Sequence, residues 1–243
     1  MPAGKTHLPR EHATSVAHAA ERFGEHTREL LHEVRPRLRG WFHAAVAPLT
    51  LVAGLVLVLQ SPSGAVRLAL TAFVATAVVL FTVSALYHRR TWSPHVKDRL
   101  RRFDHANIFL HIAGTYTAFA LLLLERDQAV TLLTVVWLAT AVGVVFRVWW
   151  VDAPRWLHTP VYVVVASAAL LFHTDFAAHL GSPAMTLMLA GGLLYGLGAV
   201  VYGVQRPNPL PRWVGFHEVF HAFTVIAFAT HFTGLLVAAR NVA

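Results

Sequence analysis

FTVSALYHRR, residues 81–90, ends an apolar run on a histidine, His88, directly before an arginine pair. Read back toward the N-terminus, the run reaches residue 65 with Arg67 as its only charge, long enough to cross a bilayer as a helix. The pattern recurs twice. RRFDH (101–105) puts Asp104 at the start of an apolar run, and GFHEVFH (215–221) puts His217 and His221 near the start of another. Three histidines and a carboxylate at the ends of hydrophobic segments are costly in a membrane and point to one shared site.

The 243 residues are 56% hydrophobic and 13% charged, against about 25% charged in a soluble domain. Apolar runs of spanning length follow one another with short gaps, which predicts an all-α, polytopic membrane protein with one membrane domain. There is no cysteine, so disulfides and thiolate metal sites are excluded, and a zinc ion would have to use His, Asp or Glu. The net charge of +8 comes with no nucleic-acid recognition motif. Basic loops facing anionic membrane lipid explain it better, so membrane lipid is the expected partner and nucleic acid is not. Residues 1–40 are polar and lack an apolar core of the signal-peptide kind, so no secretory signal is expected there.

The expected division is a cytoplasmic N-terminal segment, 1–40, and a seven-helix membrane domain, 41–243. Within the first, Val16, Ala20, Phe23, Leu30, Leu31 and Val34 approximate the apolar stripe of a helix over 11–34 that lies on the bilayer surface, ended by Pro36, with a partner-binding helix as the rival reading. The predicted spans are 41–60, 65–88, 105–124, 129–149, 156–174, 184–204 and 213–239. Arg147 falls at the end of the fourth, where it can snorkel. Gly192-x-x-x-Gly196 in the sixth permits close helix approach, read as packing within the chain, with a dimer face as the rival reading.

Charge sets the expected orientation. Seven Lys and Arg precede residue 41 and six occupy the connection after the second span. Arg147, Arg155, Arg206 and Arg212 fall on the same side, leaving Arg67, Arg126 and Arg240 on the other. The asymmetry predicts a cytoplasmic N-terminus and an external C-terminus. It also brings His88, Asp104, His217 and His221 to one depth in the inner leaflet.

His217 and His221 are four residues apart and share one helix face, as do Ser84 and His88. With His88 they supply the three protein ligands common in zinc sites that keep an open position. Asp104 can then bind the metal or hydrogen-bond the metal-bound water as general base, and Ser84 can orient a ligand or contact an oxyanion. An unmetallated polar contact is the rival reading of the histidine pair. His43, His158, His173 and His179 read as imidazoles at membrane interfaces. His111, about two turns beyond Asp104, reads as a buried hydrogen-bonded residue or part of a proton path. His231 is about 15 Å beyond His221 and too far to be a ligand. Glu218 is either a supporting partner of the site or a first-turn acid.

SALYH (84–88), RRFDHANIFLHIAGTYTAF (101–119) and FHEVFH (216–221) resemble the hemolysin III family, within the progestin and adiponectin Q receptor superfamily. The resemblance covers roughly 41–239. It implies seven helices, a cytoplasmic N-terminus, and zinc held by His88, His217 and His221. It also implies that Asp104 contacts the zinc-bound water with Ser84 close by. Ala118 stands where the family commonly has proline, which bears on the bend of the third helix. Related alkaline ceramidases use a similar site, so the resemblance implies a zinc-dependent hydrolase of lipid amide or ester bonds in a bacterial plasma (inner) membrane. A receptor-like or regulatory protein of lipid homeostasis with structural zinc is the alternative, and a cytolytic pore a further one. The spans lack the rows of charge that would line an aqueous channel.

Overall fold

The computed structural model describes residues 36–62, 64–172, 175–176 and 181–241. The surface helix expected over 11–34 lies outside them, as do His173 and His179. Seven helices follow: α1 Trp41–Gln60, α2 Ala65–Arg89, α3 Pro94–Leu123, α4 Arg126–Trp149, α5 Arg155–Ala166, α6 Pro183–Val204 and α7 Phe216–Arg240. Each of the seven, α5 together with its 3₁₀ extension to Phe172, is long and apolar enough to cross a membrane. Among the described residues the one extended pairing is an isolated bridge between Leu210 and Val214. This is the seven-helix membrane bundle that the apolar runs predict.

Sequence spacing dictates which face of each helix is buried. On α2 the buried stripe runs Leu70, Phe73, Ala77, Phe81, Ser84 and His88, three or four residues apart. The face that packs the bundle therefore carries the polar pair at its end. The other faces turn outward: Leu59 and Leu68 are each 72% exposed and Val142 71%. In water such surface would be a liability, whereas hydrocarbon solvates it. Helices adjacent in the chain pack as pairs from α1 to α4, α6 packs on α7, and α7 closes against α1 and α3.

Two spans differ from expectation. α3 begins at Pro94, well before 105, because Pro94 suits a first-turn position and Asp98 pairs with Arg101 and Arg102 at one-turn spacing. Asp104 is thus already three turns inside a helix. The fifth span, expected as one helix over 156–174, breaks after Ala166 into a 3₁₀ turn, Ala168–Phe172. The Tyr116 hydroxyl fills the break: it donates to the Ala166 carbonyl at 2.6 Å and accepts from the Ala169 N–H at 2.9 Å. Backbone groups freed inside a membrane need such partners.

The packing assigned to Gly192 and Gly196 is not observed: a Cβ on either meets nothing within 4 Å. Gly191 is the close contact, where a Cβ would lie 2.1 Å from His231 Cδ2. His231 cannot easily yield, since its Nε2 is bound to the Met188 carbonyl at 2.9 Å. Gly191→Ala is expected to destabilise the detergent-solubilised protein by about 1–3 kcal/mol through overpacking, lowering Tm by roughly 3–10 °C. Gly192→Ala should leave Tm unchanged or slightly raised, since alanine is the better helix former.

Candidate metal centre

The polar end of the α2 stripe meets the first turns of α7 at one end of the bundle. His88 Nε2 lies 3.1 Å from His217 Nε2, and the ring centroids of His217 and His221 are 4.4 Å apart. His88, His217 and His221 each offer a ring nitrogen, and these three atoms lie within 4.8 Å of one another. Two nitrogens on one tetrahedral zinc would be about 3.3 Å apart, given bonds near 2.05 Å. The donor set therefore fits an ion of that size, and the cluster could hold a metal.

Asp104 comes from α3, its Oδ2 3.8 Å from His88 Nε2. At that separation the carboxylate stands beside the His88 ring, at ion-pair range rather than hydrogen-bond length for this atom pair. Ser84, one turn before His88, hydrogen-bonds Asp104 and is 2% exposed. All five residues proposed from sequence are thus brought together by α2, α3 and α7.

The segment before α1 fixes this end of the bundle. The Arg37 and Leu38 N–H groups donate to the carbonyls of Arg212 and Trp213, at 3.0 and 3.2 Å. Arg39 forms an ion pair with Glu218, which is 1% exposed and also accepts from the Gly215 N–H at 2.8 Å. Glu218 therefore caps α7 and ties it to the N-terminal segment, which settles its role in favour of the first-turn acid. Gly40 has φ +77°, and a Cβ there would lie 2.8 Å from the His88 Cβ, so glycine is required both by conformation and by contact.

His111 and His231 behave as buried hydrogen-bonded residues. His111 contacts the Tyr195 hydroxyl at 3.2 Å and Thr76 at 3.4 Å, and His231 the Met188 carbonyl. Arg147 departs from expectation. It does not snorkel but is fully buried, bound to His105 Nδ1 at 2.5 Å and to the Trp150 carbonyl at 3.4 Å. Gly143, one turn earlier, explains this: a Cβ there would sit 2.5 Å from the Phe109 ring, so α3 and α4 close over the guanidinium. His43, expected near a membrane interface, lies in the first turn of α1 but turns into the bundle. It is 3% exposed and its ring stacks on that of His221, centroids 3.9 Å apart and planes 6° from parallel. Sequence did hold a signal for it. α1 starts on the side where α7 starts, so a first-turn histidine shares the depth of His217.

Seven apolar helices with a histidine cluster at one end define a multi-pass membrane protein with a candidate metal centre. A family model described as Haemolysin-III related matches residues 31–232, and the chain belongs to that family. A hemolysin-3 homolog of Bacillus subtilis is 32% identical over 155 residues, covering 64% of this chain and 70% of the relative. Hemolysin-3 of Bacillus cereus is 29% identical over 186 residues, covering 75% and 82%. The ADIPOR-like receptor IZH2 of Saccharomyces cerevisiae is 41% identical over 54 residues, a local match covering 20% of this chain and 17% of that protein.

Proposed function

We propose that the protein is a zinc-dependent hydrolase of an amide or ester bond in a membrane lipid. The observation that carries this reading is one cluster: three imidazole nitrogens within 4.8 Å, with the Asp104 carboxylate 3.8 Å from one of them. His88, His217 and His221 hold the ion. Zinc, when bound, polarises a carbonyl oxygen and acidifies water. Asp104 is the proton acceptor, because its carboxylate stands 3.8 Å from His88 Nε2, at the edge of the cluster, held by Ser84. Ser84 orients it by donating a hydrogen bond from its hydroxyl to the carboxylate. The centre sits at the end of the bundle rather than at mid-depth, the level at which the linkages between lipid headgroup and acyl chain lie. The charge asymmetry supports a cytoplasmic N-terminus, and with it an inner-leaflet site. The Bacillus relatives support a bacterial plasma membrane.

Metal-loaded protein is expected to release fatty acid from at least one member of a panel of ceramides, N-acyl lipids and phospholipids, read by mass spectrometry. Stripping with dipicolinate should lower turnover at least 100-fold and added zinc should restore it. A protein that binds one zinc and turns over none of the panel is instead a regulatory protein with structural metal. The contact from His88 to His217 favours that second reading, because it joins helices 129 residues apart in sequence.

A further inference from the structure

His43 lies in the first turn of α1, and no feature of the three-histidine cluster requires it to be a histidine. One face of its ring covers His221 and its edge meets Phe81, centroids 5.0 Å apart at 62°. Both nitrogens, Nδ1 and Nε2, are buried and without a hydrogen-bond partner among the described residues. For packing alone a phenylalanine would serve better: Phe81 and Phe228 already fill the neighbouring space, their rings 5.1 Å apart. Burying an imidazole with its N–H and its lone pair both unpaired costs stability, and that cost is removed only when a polar group arrives. The near-parallel stack sets those nitrogens one ring spacing from His221, at the edge of the centre. His43 is no member of the set of three whose nitrogens converge, so it is not placed to hold the same ion.

We propose that His43 is a fourth histidine of the centre, one that hydrogen-bonds an oxygen of the substrate's acyl group instead of holding the metal. The inference rests on the hydrolase reading and adds to it: the ligand class is a carboxylate-like or carbonyl oxygen presented beside His221. The neutral ring donates its N–H to that oxygen. α1 thereby contributes to a site otherwise built from α2, α3 and α7.

The test uses full-length protein in detergent, loaded with Co2+ as a spectroscopic stand-in for zinc, and acetohydroxamate as an acyl-like oxygen ligand. In the wild type, hydroxamate should shift the visible cobalt bands. His43→Phe keeps a flat ring against His221 and removes the donor. It should retain one cobalt with an affinity within about threefold of wild type and bind hydroxamate at least tenfold more weakly, as expected for loss of a hydrogen bond to a charged ligand. His43→Gln, which restores a donor without the stack, should recover part of the hydroxamate affinity. The proposal is overturned if His43→Phe binds hydroxamate as tightly as wild type. It is equally overturned if His43→Phe loses cobalt as His217→Ala does, since His43 would then be a ligand. Wild-type protein that takes up no cobalt would sink the metal reading and this proposal together; equal hydroxamate affinity in cobalt-loaded wild type and His43→Phe sinks this proposal alone.

Discussion

Replacing His217 and His221 together by alanine is expected to empty the centre: zinc in the purified protein falls from about one equivalent to less than about 0.1. Both ligands come from adjacent turns of α7, so the double change leaves His88 as the single imidazole of the three. One imidazole does not retain zinc through purification, because a stable site needs three or four protein ligands. Elemental analysis of wild type and variant, purified side by side, reads the result directly. A thermal shift adds a second measurement. Zinc should raise the Tm of wild type, because an ion bound only by the folded state stabilises it, and should leave the variant unmoved. A variant that still carries a full equivalent would show that the ion sits elsewhere.

Asp104→Asn separates chemistry from metal binding. The amide is nearly isosteric with the carboxylate and can keep the Ser84 contact, so the helices should pack as before. Asparagine cannot accept a proton at neutral pH. With zinc content unchanged, kcat should fall by roughly 10²–10⁴, the usual worth of a general base. Because the carboxylate lies 3.8 Å from His88 Nε2 and is not one of the three converging imidazoles, metal affinity should change little. Loss of zinc from this variant would instead make Asp104 a direct ligand. Full turnover with zinc retained would assign the proton to another group.

Helix positions were legible because hydrocarbon imposes one simple rule: about 20 apolar residues, ended by charge. α1 runs from Trp41 to Gln60, the interval read from the sequence. Helix length beyond the membrane was less legible. α3 extends back to Pro94 through pairs among Asp98, Arg101 and Arg102, which look like a loop to a hydropathy argument and like a helix to a charge-pair argument. The depth match of His88, Asp104, His217 and His221 followed from charge counting and spacing, and the same residues meet in the fold. His43 and Arg147 show where such reasoning ends. Sequence gives the depth of a residue along its helix but not the direction it faces. Rotation about the axis is set by packing, here by Gly143 against Phe109 and by His43 against His221. The glycines repeat the lesson: Gly191 and Gly192 are neighbours, yet the first abuts His231 and the second faces open space.

The contact between His88 and His217 also has a consequence for biosynthesis. The two residues are 129 positions apart, so a ribosome adding about 5–20 residues per second reaches His217 on the order of ten seconds after His88. During that interval α2 is in the bilayer with His88 and no partner from α7. Arg39 and His43, made earlier still, wait longer for Glu218 and His221: Arg39 and Glu218 are 179 positions apart. The centre is therefore assembled last, when the final helix inserts and the first and last parts of the chain meet. A metal held by these three histidines would be captured only after α7 inserts, and a chain stalled before that helix would be inserted without the complete cluster. Pulse-labelled chains released before and after residue 221 would separate on an immobilised chelator according to which side of that event they lie.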